Sequence, residues 1–143
     1  MVTNTPKTNN YFKEYTPGIV DLLPTMADFL GIDIPINVKR ELDGVSLIAP
    51  VDAINLHAKK EDTDLVVSWH PLSSGEGKLY MSTTNNLSKG GEDIYDLVEI
   101  VDLKKGQIRI PIRKIRDGFG KVVLETPNTT LNTWYVEQRP GLQ

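Results

Sequence analysis

Hydrophobic positions follow two periods along the chain, and the change between them divides the sequence. In its first third, Leu22, Leu23, Met26, Phe29 and Leu30 recur at three- and four-residue spacing, which places them on one face of a helix and turns Thr25 and Asp28 elsewhere. Asp21 stands where a carboxylate can accept from the free amides of a first turn, and Pro24 falls where a missing N–H costs nothing. The helix is therefore expected to start at Asp21 and to stop at Gly31, a residue that takes left-handed backbone freely. Beyond it, Ile32, Ile34 and Ile36 alternate through an extended link. Residues 38–42 suit one helical turn, and Asp43-Gly44 is a turn signal ahead of Val45-Ser46-Leu47.

From Val51 the period becomes two, which marks a boundary near Pro50-Val51 and divides the chain into residues 1–50 and 51–143. Seven strands are expected, at 51–58, 65–69, 78–84, 95–103, 107–112, 121–126 and 132–137. The clearest sets Ile108, Ile110 and Ile112 against Arg109, Pro111 and Arg113, and the proline argues for an edge or a bulge. Turn chemistry separates the strands at Ser73-Ser74-Gly75-Glu76-Gly77, Gly90-Gly91, Lys105-Gly106 and Asp117-Gly118. The fold class that follows is mainly β, a seven-stranded sandwich of two sheets preceded by a short α-helical segment. Leu65-Val66-Val67-Ser68-Trp69, then Pro71, with Tyr80 in the next strand, is similar to the early strands of immunoglobulin-like and fibronectin type III domains. A buried Trp69 would pack across the sheets toward Val122 and Leu124.

Composition narrows the function classes. Nineteen carboxylates against sixteen bases in 143 residues give no basic footprint for nucleic acid. With no cysteine, neither a disulfide scaffold nor a thiolate zinc site is available. No apolar run approaches the roughly 18 residues that span a bilayer. Residues 1–15 are polar apart from Tyr11, Phe12 and Tyr15, and read either as a flexible lead-in or as a surface excursion whose aromatics dock on a catalytic domain.

Several tempting sites have plain readings. Gly75-Glu76-Gly77-Lys78 lacks the spacer and the following Ser or Thr of a phosphate loop and reads as a hairpin. His57 and His70 have no ligand spacing between them and are expected on strand faces. The acidic groups Glu61, Asp62, Asp64 and Glu92, Asp93, Asp96 lack the spacing of a calcium loop and read as solvated loops. Ser46 has no histidine partner and reads as a turn hydroxyl. Trp134 and Tyr135 point to opposite faces of the last strand; with Tyr135 outward, it would form a binding face with Arg109 and Arg113 for a glycan or a protein.

Asp21-Leu22-Leu23-Pro24-Thr25, an apolar helix ending in Gly31-Ile32, Pro35, and Leu42-Asp43-Gly44-Val45-Ser46-Leu47 resemble the closing segment of the catalytic domain in the alkaline phosphatase superfamily. Sulfatases, phosphodiesterases and nucleotide pyrophosphatases belong to that group. The resemblance covers about the first third of the chain. It implies that the nucleophile and the metal ligands, for zinc or calcium, lie upstream in a catalytic domain outside this sequence. It also implies a periplasmic or secreted location. No catalytic or metal-binding residue is carried over, and the chain reads as the carboxyl-terminal piece of a larger ester hydrolase, with Met1 an internal start. The helix face of Leu22, Leu23, Met26, Phe29 and Leu30 would then dock on the upstream domain. Without it, that face would be expected to fold back on the sandwich or to self-associate, because burying each large side chain is worth about 1.5–3 kcal/mol. The alternative is a self-contained binding module whose helix caps its own sandwich.

Overall fold

A computed structural model of the chain describes residues 18–84, 86, 89–111 and 119–136. The protein is mainly β, with seven strands in two antiparallel sheets: β1 Ala53–Glu61, β2 Asp64–Pro71, β3 Glu76–Ser82, β4 Asp96–Asp102, β5 Gln107–Pro111, β6 Phe119–Glu125 and β7 Thr130–Val136. One sheet runs in the order β1-β2-β5 and the other in the order β4-β3-β6-β7. All seven expected strands are present with their ends shifted by a few residues, as alternation combined with turn chemistry predicts. Pro111 ends β5, the edge strand of the smaller sheet, where its missing N–H breaks no ladder. The Asp117-Gly118 turn and the 1–15 lead-in lie outside the described residues.

The sandwich core lies between the sheets. Leu65, Val67 and Trp69 of β2 join Leu79 and Met81 of β3 and Val122 and Leu124 of β6 in one apolar cluster. Trp69 is buried as expected, and its indole N–H donates to the Leu103 carbonyl, just beyond β4, at 2.9 Å. That bond satisfies the one polar atom of a side chain otherwise surrounded by hydrocarbon. Asp52 closes one end. Its carboxylate accepts from Ser73 and Thr126 hydroxyls and from the Asn128 amide, each at 2.8 Å, fastening the entry to β1 onto the β2–β3 and β6–β7 connections.

Ahead of the sandwich, a 3-10 turn at Ile19–Asp21 leads into helix α1, Leu22–Leu30, and Gly31 ends it in left-handed backbone with φ 68°. A single turn, α2 Ile36–Lys39, follows, starting two residues earlier than the spacing suggests. The chain then crosses the outer face of the larger sheet. On β6, Val122 and Leu124 face the core while Lys121 and Val123 face outward, yet Lys121 is only 2% exposed and Val123 wholly covered. The Arg40 guanidinium stacks over Tyr80 at 4.7 Å and Tyr95 at 5.3 Å and reaches Glu125 at 3.2 Å. Glu41 takes the Lys121 ammonium and the Tyr95 hydroxyl, and the Leu42 carbonyl accepts from Asn132 at 2.8 Å. Val45 belongs to the core cluster and Leu47 packs against it. The change of period at Pro50-Val51 is thus not a gap in packing.

Candidate docking surface

Helix α1 is seated by its polar side. The expected cap at Asp21 forms differently: the helix begins at Leu22, and the Asp21 carboxylate makes no cap bond to the first-turn amides. It is fully buried instead, accepting from the Gly18 and Val45 amides at 2.8 Å each. Thr25 completes the joint, since its hydroxyl donates to the Asp21 carbonyl at 2.6 Å and accepts from the Leu47 amide at 3.0 Å. Two amides of a distant loop, the buried one of Val45 and the part-buried one of Leu47, are paired in this way, where leaving a buried one unpaired would cost about 1–3 kcal/mol. Gly44 makes the approach feasible, because a Cβ there would fall 2.0 Å from the Val20 carbonyl oxygen. Ser46 is a turn hydroxyl as expected, accepting from the Ile48 and Ala49 amides. Asp21-Leu22-Leu23-Pro24-Thr25 and Asp43-Gly44-Val45-Ser46-Leu47 are therefore two halves of one clip.

The clip turns the apolar stripe away from the sandwich. Thr25 and Ala27 are buried, whereas Leu22, Leu23, Met26, Phe29 and Leu30 are all exposed, Phe29 at 71% and Leu30 at 61%. Thr25, read as facing away from the packed side, is the seat of the helix. The fold-back of the apolar face onto the sandwich does not occur, because Asp21 and Thr25 commit the opposite side to the loop. Ile19 continues the exposed surface at the start of the helix.

The strand-borne binding face is not assembled. Tyr135 is buried at 4% exposure and belongs to the core cluster. The outward aromatic of β7 is Trp134, which stands opposite Lys121 in register, with that ammonium 5.2 Å from its ring centre. Strand parity separates the two aromatics, and the burial of Lys121 beneath residues 40–42 assigns Trp134 to the outer face. Arg109 lies on the other sheet and reaches Glu61 at 2.8 Å and Asp64 at 3.8 Å across the neighbouring strands. Arg113 lies outside the described residues. Glu61 and Asp64 of the first acidic group thus pair with Arg109, and in the second Asp93 accepts from Thr84 at 2.9 Å and Asn86 at 2.6 Å.

Among the described residues, two titrating groups are perturbed. Burial pushes the Asp52 carboxyl upward, but its hydrogen bonds from Thr126, Ser73 and Asn128 outweigh that and hold it below the usual aspartate value. Tyr95 is pushed far above the ordinary phenol value by burial, by its bond to Glu41 and by the Glu41 and Asp93 charges. Both are structural partners. His57 and His70 lie exposed on strands, and among the described residues no group of three or more His, Cys, Asp or Glu side chains is arranged to hold a metal ion. A cleft of about 400 Å³ runs between the α1–α2 link and the β6–β7 turn, lined by Ile32, Ile34, Leu42, Pro127 and Thr130 among others. The feature that stands out for function is therefore the apolar face of α1. The Arg40, Glu41 and Lys121 cluster was not foreseen, since a lysine at an outward strand position carries no sign that another segment covers it. In comparisons with known proteins, no family model, no curated protein and no solved structure matches this chain.

Proposed function

We propose that the chain is the non-catalytic carboxyl-terminal portion of a metal-dependent phosphoric or sulfuric ester hydrolase of the alkaline phosphatase type. In this reading, residues 1–50 complete the catalytic domain and the sandwich, residues 51–143, braces it as a structural accessory. The supporting observation is the clip. The two motif halves that carry the resemblance are separated by 24 residues at the Asp21–Val45 bond, and they close on each other through buried hydrogen bonds. A motif whose parts form one joint is better explained as a unit than as two common fragments. The zinc or calcium that such chemistry needs would be held in the catalytic part, where it would polarise the ester and activate the nucleophile. The residues of this chain would contribute only packing.

In the binding-module reading the outward aromatic of β7 would be Trp134 in place of Tyr135, on the sheet that does not carry Arg109. The experiment is to size the native polypeptide in its source cells with an antibody against the sandwich, and to assay it on phosphate and sulfate esters with zinc or calcium added. A polypeptide several times longer than this chain that turns over such an ester supports the proposal. A native band at the size of this chain overturns it, as does turnover by this chain that is lost when one of its own residues is mutated.

A further inference from the structure

We infer that Asp43-Gly44 is a site of spontaneous backbone modification, conversion to isoaspartate, and that the clip is what guards it. The inference does not rest on the proposed function. Gly44 is demanded by sterics, since any Cβ there would fall 2.0 Å from the Val20 carbonyl oxygen and 2.7 Å from the Asp21 nitrogen. The residue ahead of it is an exposed aspartate, whereas Gly44 and Val45 are buried. In an aspartate-glycine pair the following amide nitrogen is least shielded from the carboxyl, because glycine carries no side chain. The close approach that makes the joint therefore requires the residue that makes this bond labile.

The reaction needs no partner. The Gly44 nitrogen attacks Asp43 Cγ in its carboxylic acid form, the amide proton and the Cγ hydroxyl leave together as water, and a succinimide ring joins the two residues. Water then adds to one of the two ring carbonyls. Addition at Cγ restores aspartate, whereas addition at the former main-chain carbonyl leaves the chain running through Cγ, one methylene longer and unchanged in mass. Ring closure requires the Asp43-Gly44 peptide to rotate toward the side chain, and the fold pins it on both sides. The Leu42 carbonyl accepts from Asn132 at 2.8 Å, the Val45 amide donates to Asp21 at 2.8 Å, and Gly44 lies against the Val20 and Asp21 backbone. Closure waits for the clip to open, so its rate scales with the fraction of time the clip is open. The product has an extra backbone atom between the same anchors, and the Val45 amide no longer meets Asp21. The change is therefore one-way and leaves the joint undone.

The test follows isoaspartate at position 43 during incubation in mildly acidic buffer, by enzymatic methyl labelling of isoaspartyl carboxyls and peptide mapping. A synthetic peptide of residues 38–48 gives the unguarded rate. The full chain should gain label there about tenfold or more slowly than the peptide, and Asp21→Ala should recover most of that factor. Asp52→Asn weakens the fold without touching a bond of the clip, and should stay within about twofold of the unaltered chain. Asp43→Glu should abolish the label, because the larger ring closes far more slowly. If Asp21→Ala does not fold, Thr25→Ala takes its place with the same expectation, since it removes only the bonds to Leu47 and the Asp21 carbonyl. A full chain that gains label as fast as the peptide would overturn the inference. Equal acceleration by Asp21→Ala and Asp52→Asn would also overturn it, because the guard would then be the whole fold. A peptide that gains no label would remove the site itself.

Discussion

The Asp21 carboxylate accepts the Val45 amide at 2.8 Å across 24 residues of chain, and it does so fully buried. A carboxylate in that position holds two amides, the part-buried one of Gly18 and the buried one of Val45. Asp21→Ala removes both acceptors at once and should destabilise the protein by about 2–4 kcal/mol. Denaturant unfolding measures the loss, and limited proteolysis should show cleavage within residues 18–50 before the sandwich opens. An unchanged midpoint would mean that the clip is not a stabilising joint.

Gly44→Ala tests the same joint by sterics. The added methyl would lie 2.0 Å from the Val20 oxygen and 2.7 Å from the Asp21 nitrogen, and both are backbone atoms that cannot rotate away. The loop must retreat and break the Asp21–Val45 bond, at an expected cost of about 1–3 kcal/mol or more. Combined with Asp21→Ala, the second change should add little, because both remove one contact.

Asp52 should make the fold acid-labile. Its folded-state pKa lies below the unfolded value, so its contribution is complete above the unfolded value and disappears as pH falls through the folded one. Stability should begin to drop below about pH 4. In Asp52→Asn that acid-dependent loss should be smaller, and stability at neutral pH lower, because an amide cannot accept from Ser73, Thr126 and Asn128 together. Unfolding midpoints between pH 2 and 7, a range of about five units around the ordinary aspartate value, decide the matter. Parallel curves for the two proteins would count against the assignment.

Tyr95 gives the opposite sign at the alkaline end. A phenol whose folded-state pKa is raised contributes stability below its unfolded value, and that stability is lost as pH rises above about 10. Tyr95→Phe should flatten the alkaline limb. Glu41→Ala goes further, leaving the Lys121 ammonium buried without its partner, at an expected cost of about 3–5 kcal/mol. Pairing Glu41→Ala with Lys121→Met should recover much of that loss, and a double-mutant cycle in denaturant reads the coupling directly.

The strands were legible because their causes are local. Alternation such as Ile108 against Arg109, together with glycine-bearing turns, settles period and spacing without knowledge of what packs where, and narrows Pro111 to an edge or a bulge, of which the sheet order gives the edge. The Gly31 stop was legible for the same reason. The seating of α1 was not, because it depends on hydrogen bonds from Asp21 and Thr25 to residues more than twenty positions away, and apolar spacing reports only where hydrocarbon lies. Parity likewise placed Trp134 and Tyr135 on opposite faces but left open which face was the core. That choice is tied to residues 40–42 crossing the sheet over Lys121, a long-range event with no periodic trace.

The same long-range contacts decide where the stable unit ends. Residues 51–143 contain the seven described strands, and the period changes at their start, yet without residues 18–50 the fragment loses the Val45 contact with the core and the Arg40 and Glu41 cover over β3 and β6. Lys121 and Val123 would pass from nearly complete burial into water, which relieves the ammonium but exposes the valine. Losing the two apolar contacts should cost about 2–4 kcal/mol. The fragment 51–143 should therefore melt well below the full chain, whereas Phe29→Asp in the full chain should not lower its midpoint, because Phe29 touches water now. The two results together distinguish a helix whose polar side belongs to the sandwich from one that is merely tethered to it. Equal midpoints for fragment and full chain would show the opposite, a sandwich that is complete without its clip.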